Sequence, residues 1–172
     1  MKDSTRVVLG ISAFAMLLVG PCLNLAHGND QGQAKATVGR AHVSIEYGRP
    51  TLKGRDPMQM IQPGQMWRMG ADSPTTIDSD QDLLFGNTRV PKGKHILLAR
   101  LAEPGKWFLV VSTKSANQYE PGAKLAEVPM KLVKATDPRE ELTIKLSVRG
   151  KQGFIEVDWG GSRLIASFTA AP

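Results

Sequence analysis

Three arginines fall within the span 47–76: Arg49, Arg55 and Arg68, accompanied by Tyr47, Lys53, Trp67, Asp72 and Thr76. A guanidinium group presents a planar fork of donors that matches carboxylate, sulfate or phosphate oxygens, and it stacks on aromatic faces. If these side chains converge, they form a cationic pocket with an indole wall, suited to an anionic or polyhydroxylated ligand. The other reading is mechanical. Each arginine then pins an irregular segment to its scaffold, pairing with Asp56, Asp72 or Asp78 and bonding loop carbonyls that need donors.

Other chemistry is thinly represented. The sequence has no Gly-x-Ser-x-Gly elbow, no phosphate loop, no Gly-x-Gly-x-x-Gly and no His-Glu-x-x-His. Beyond the N-terminal leader the histidines are His42 and His95, too few for a zinc site without carboxylates from elsewhere, so no metal and no cofactor are expected. Glu140-Glu141 and the Asp78, Asp80, Asp82 series offer carboxylates. The Asp series lacks the glycine and downstream glutamate of a calcium loop, and alternation along one strand face reads as a solvated surface.

The elements that must position these groups are strands. Ala41, Val43, Ile45 and Tyr47 alternate with His42, Ser44 and Glu46, the pattern of a half-buried strand that leaves His42 on the polar side. Asp56-Pro57 opens one short helical turn carrying Met58, Met60 and Ile61, read as a plug over the core, which Pro63-Gly64 ends. Strands follow at Thr75–Asp78, at Leu83–Phe85 and Thr88–Val90 around a Gly86-Asn87 turn, and at His95–Leu101 and Trp107–Thr113. The last two are almost continuously apolar, so both of their faces must be covered. The stretch Lys114–Ala126 reads as the longest loop, and Pro129 as an edge position in the strand Val128–Val133.

From Leu142 onward the alternation is cleanest. Asp137-Pro138 and Gly160-Gly161-Ser162 read as turns, giving three closing antiparallel strands in a meander. Nine to ten short strands with one helical turn make an all-β domain, a β-sandwich or jelly-roll-like fold, spanning 37–170. Trp67, Trp107 and Trp159 are its large core pieces.

Within the opening segment, Tyr47-Gly48-Arg49-Pro50, Lys53-Gly54-Arg55 and Trp67-Arg68-Met69-Gly70-Ala71-Asp72, with Thr75-Thr76, resemble the domain-of-unknown-function family 2911 over about residues 37–169. The resemblance implies a small exported β-rich protein and names no reaction. Two places depart from the family pattern: Asp56-Pro57-Met58 stands where Ile-Phe-Gly is common, and Pro63-Gly64-Gln65 where Pro-Tyr-Gly-Lys is usual.

The N-terminus has its own logic. Lys2 and Arg6 precede the apolar run Val7–Gly20, followed by a small-residue exit, as in a secretory signal peptide over residues 1–28. Cleavage after Gly28, with Ala26 three places before the cut, and cleavage after Ala26 both satisfy the exit rule. Retention as an anchor is the alternative, disfavoured because the run is short for a bilayer. Cys22, the single cysteine, follows Pro21 and does not suit a lipidation signal; if it leaves with the leader, the mature chain holds no disulfide. Residues 29–36 read as a disordered leader to the domain.

The formal net charge is +6, yet the basic residues are scattered and not interleaved with aromatics, so nucleic acid is not an expected partner. The sequence therefore predicts an exported, periplasmic or secreted chain with no stable membrane span. Its expected role is a non-enzymatic binding domain for an anionic or polyhydroxylated cell-envelope ligand, held by Tyr47, Arg49, Lys53, Arg55, Trp67, Arg68, Asp72 and Thr76. A hydrolase of envelope glycans or esters is a second reading, and a structural or assembly component without a small-molecule site a third. The oligomeric state is left open.

Overall fold

The computed structural model describes residues 29–172, so the expected signal peptide lies outside the described residues. The chain forms ten strands: β1 Asp30–Val38, β2 Ala41–Arg49, β3 Met66–Trp67, β4 Thr76–Ser79, β5 Leu83–Phe85, β6 Thr88–Val90, β7 Gly93–Glu103, β8 Lys106–Ser112, β9 Lys124–Arg149 and β10 Gln152–Ala170. One helical turn, α1 Pro57–Met60, and two single 3-10 turns, Ala116–Gln118 and Pro121–Ala123, interrupt them. The domain is all-β. Its strands join in one antiparallel sheet in the order β1-β2-β4-β7-β8-β9-β10-β5-β6, with β3 added to β7. Among the described residues no helix is long and apolar enough to cross a membrane.

The sheet curls over its own core because β9 serves both halves. Its first part pairs with β8, from Ser112↔Lys124 to Trp107↔Met130, and its remainder pairs with β10. The chain just past β2 then returns to β9. Leu142 N–H donates to Pro50 O at 3.0 Å, Leu52 N–H donates to Glu140 O at 2.9 Å, and Thr51 bridges Glu141. Inward side chains of both halves, Ile45, Leu97, Leu109, Leu142, Ile155 and Phe168 among them, make one core in which each is at most 2% exposed. Successive β8 residues Leu109, Val110 and Val111 are all buried, as two covered faces require.

Several sequence expectations change. Residues 30–36, expected as a disordered leader, belong to β1, which pairs with β2 in unbroken register from Asp30↔Arg49 to Val38↔Ala41. The inward residues of β1 are Gly32, Ala34 and Ala36, and at Gly32 there is no room for a side chain: a Cβ there would lie 2.4 Å from the Tyr47 ring. Asp137-Pro138 does not end a strand, and Gly160-Gly161-Ser162 is no turn. Both fall where the β9–β10 register jumps from Arg139↔Gly160 to Lys134↔Ser162, so the closing unit is one long bulged hairpin and not a three-stranded meander. Just past the helical turn Ile61 enters the core, whereas Met60, its last residue, is 44% exposed and plugs nothing.

Candidate functional site

The segment 47–76 is held by close backbone approach. A Cβ on Gly48 would lie 2.1 Å from Ala71 O, and one on Gly70 would lie 2.7 Å from Thr75 Oγ1 and 3.1 Å from Gly48 O. Only glycine lets these two chain segments meet at that distance. Thr75, fully buried, donates its hydroxyl to Met69 O at 2.9 Å. Lys53, Met69 and Asp72 take left-handed backbone angles, φ of 51°, 55° and 59°. Such positions cost free energy and persist only where the surroundings impose them.

These constraints distribute the expected site residues. Tyr47 is buried and donates its hydroxyl to Ile144 O at 3.3 Å. Arg49 is ion-paired with Glu141, Nη2 to Oε2 2.7 Å, and Lys53 gives its backbone N–H to Glu140 Oε1 at 2.7 Å. Arg55 donates Nε to Leu52 O at 3.0 Å and lines a cavity of about 430 Å³ with Gly54, Glu140 and Ser162. Trp67 stacks on Trp159 at 5.7 Å with planes 3° apart and meets Trp107 edge-on at 6.2 Å. Its ring is thus engaged with other indoles. Thr76 sits half-buried in β4, opposite Ile96 and Glu46.

Of the eight, Arg68 and Asp72 share a cleft of about 400 Å³ that also takes in Thr75, Ile96, Leu98 and Asn117. Its floor is the outer face of β7, where Leu98 pairs with Val110 of β8. Both residues are at most 1% exposed although they lie outside the main core. The 3-10 turn Ala116–Gln118 forms one wall, with Ser115 Oγ 2.6 Å from Asn117 Oδ1, and the strained 68–72 segment forms the other.

The cleft has one available cation. Arg68 donates Nε to Gly70 O at 3.1 Å; among the described residues it has no ion-pair partner, and its terminal nitrogens make no hydrogen bond. Asp72 accepts two hydrogen bonds from Asn29 on Oδ2, from the backbone N at 2.8 Å and from Nδ2 at 3.1 Å. These two bonds hold its carboxyl below the ordinary aspartate value; burial opposes them, and the positive charge of Arg68 adds a smaller lowering.

Two carboxylates of the Asp78, Asp80, Asp82 series are held by basic and backbone partners. Asp80 binds His42 through both the backbone N–H (2.8 Å) and Nδ1 (2.9 Å), on an open cavity of about 560 Å³ across β1, β2 and β4. Asp82 accepts from Arg89 and from the Lys92 backbone N–H, both at 2.9 Å. The described residues contain no group of three or more His, Cys, Asp or Glu placed to hold a metal ion.

Sequence reasoning missed a second polar cluster on β9–β10. Asp158 has a fully buried carboxylate gripped by Arg163 Nε and Nη2, the latter at 2.8 Å, and by Lys145 Nζ at 3.2 Å. Burial pushes its pKa up, but hydrogen bonds from Arg163 and Lys145 outweigh it and hold the group below its ordinary value. Glu156 joins through Arg163 at 3.5 Å and Ser147 at 2.6 Å. The cluster is paired throughout and serves as structure. No local motif marks it, since its members are drawn from two strands at different heights.

Fold and cleft together define an all-β domain with an unpaired guanidinium over an apolar floor. The chain belongs to the family described as Protein of unknown function (DUF2911), whose model matches residues 29–168. No curated protein and no solved structure matches it.

Proposed function

We propose that this chain is an exported, non-enzymatic binding domain whose cleft between the 68–75 segment and the 115–117 turn holds an anionic or polyhydroxylated ligand of the cell envelope. The observation that supports it is the state of Arg68: a guanidinium with its terminal donors unused, at the lip of a cleft floored by Ile96 and Leu98. A fork of free donors beside an apolar floor suits an anion carried on a nonpolar body, and Ser115 and Asn117 add groups that bond hydroxyls. Export rests on the leader, Lys2 and Arg6 before the apolar run Val7–Gly20.

The test is a thermal-shift screen of residues 29–172 against sugars, organic acids and phosphates. A ligand at one hundred times its Kd raises Tm by roughly 5–10 °C for a chain of this size. Arg68→Ala should abolish that shift while leaving the Tm of the unliganded protein within about 2 °C. A ligand that stabilises the wild type and Arg68→Ala equally does not use this cleft.

A further inference from the structure

The residue that touches Asp72 stands at one of the two sequence positions where the leader can be cut. Asn29 places its backbone nitrogen 2.8 Å and its side-chain nitrogen 3.1 Å from the same oxygen, Asp72 Oδ2. The three preceding residues, Ala26-His27-Gly28, are a small-x-small exit for the leader. The family match also begins at residue 29.

We infer that the leader is cut between Gly28 and Asn29, and that the α-ammonium group so created is received by the carboxylate of Asp72. Before cleavage the nitrogen at residue 29 is a neutral amide with one proton to give. After cleavage it is an ammonium with three, and a hydrogen bond already in place becomes an ion pair. Cleavage after Ala26 would leave His27-Gly28 in the chain and the contact neutral. The receptor is built for its place. Asp72 is held in a left-handed conformation, φ 59°, at the end of a segment fixed by the contact of Gly70 with Gly48. The other charges nearby are Arg68, which lines the same cleft and lowers the Asp72 pKa, and Asp30, which lies across the register from Arg49.

The new charge changes the lip of the cleft. In the precursor, Arg68 and Asp72 carry opposite charges that offset each other. In the cut chain the ammonium compensates Asp72 and leaves the field of Arg68 uncancelled. Cleavage would thereby turn a neutral lip into a cationic one, so that anion capture begins only in the processed protein. This last step rests on the binding role proposed above; the cut and the ion pair do not.

Two measurements test the inference without any ligand. The full chain is expressed with its own leader in an exporting bacterial host, and the exported product is weighed intact. A chain beginning at Asn29 is expected; one beginning at His27, or one retaining the leader, overturns the inference. The α-amino group of the ¹⁵N-labelled product is then titrated by NMR in the wild type, in Asp72→Asn and in Asp30→Asn. Asparagine keeps the shape and tolerates the left-handed backbone. The amine pKa should fall by about one unit in Asp72→Asn and by less in Asp30→Asn. An equal or larger fall in Asp30→Asn, or no fall in Asp72→Asn, removes the ion pair. A failed ligand screen would leave both results standing.

Discussion

Gly48 of β2 and Gly70 of the following segment meet backbone to backbone, with the position of a Gly70 methyl only 3.1 Å from Gly48 O. Two of the family-like motifs, Tyr-Gly-Arg-Pro and Trp-Arg-x-Gly-Ala-Asp, therefore share a packing cause, since each glycine is the surface on which the other segment rests. Gly48→Ala should cost about 3 kcal/mol or more in urea unfolding, because its methyl would meet Ala71 O at 2.1 Å and backbone cannot yield as a side chain does. Gly161→Ala is the control. Nothing lies within 4 Å of its added methyl, and its effect should stay within about 0.5 kcal/mol.

The status of β1 is checked at Gly32. If residues 30–36 were a loose leader, Gly32→Ala would leave stability unchanged. With the Tyr47 ring 2.4 Å from the new methyl, a loss of about 1–3 kcal/mol is expected by the same method. Tyr47→Phe should cost less, about 1 kcal/mol, from the lost hydrogen bond to Ile144 O.

Acid stability is tested at Asp158. Its pKa is lowered on folding from an ordinary value of 3.8. The stability it contributes is thus fully present above that value and is lost as pH falls through the lower, folded value. Asp158→Asn should be less stable than wild type by about 2–4 kcal/mol at neutral pH, with Arg163 left short of its partner. The gap should narrow below about pH 4. A stability difference that stays constant from pH 7 to about pH 2 would show that the carboxylate charge is not what holds the cluster.

The indole stack makes its own signature. Trp67→Ala removes the face of Trp159 and the edge of Trp107 together, at a cost of about 2–3 kcal/mol given that Trp67 is only half-buried. Near-ultraviolet circular dichroism from the paired rings should collapse in the same variant, while Phe108→Leu, outside the stack, should leave it in place.

What could be read in advance depended on local chemistry. The hairpin around Gly86-Asn87 and the alternating stretch from Leu142 were legible, because turn residues and period-two burial act within a few positions. β1 was not, since Gly32, Ala34 and Ala36 carry almost no hydrophobic signal, and the absence of a side chain at Gly32 has meaning only once the Tyr47 ring lies against it. Pro138 misled for a definite reason. It falls in the unpaired stretch between Lys134 and Arg139, where the ladder asks for no N–H. Arg68 and Asp72, which line the cleft, stood out by residue type, whereas the loop expected over 114–126 is shorter, since Lys124–Ala126 already belong to β9. Ile96 and Leu98 did not stand out, because their place under the cleft follows from which face of β7 the distant turn covers.

The dual service of β9 sets an order in time. β8 needs Lys124–Met130 as its neighbour, the chain beyond β2 closes onto Glu140–Leu142, and Tyr47 finds its acceptor 97 residues downstream at Ile144. A nascent chain that has produced everything up to Ser112 still lacks the strand on which both ends of its sheet depend. Such topology folds slowly and late. Without its C-terminal third the sheet lacks both the strand that pairs with β8 and the strand that pairs with the rest of β9.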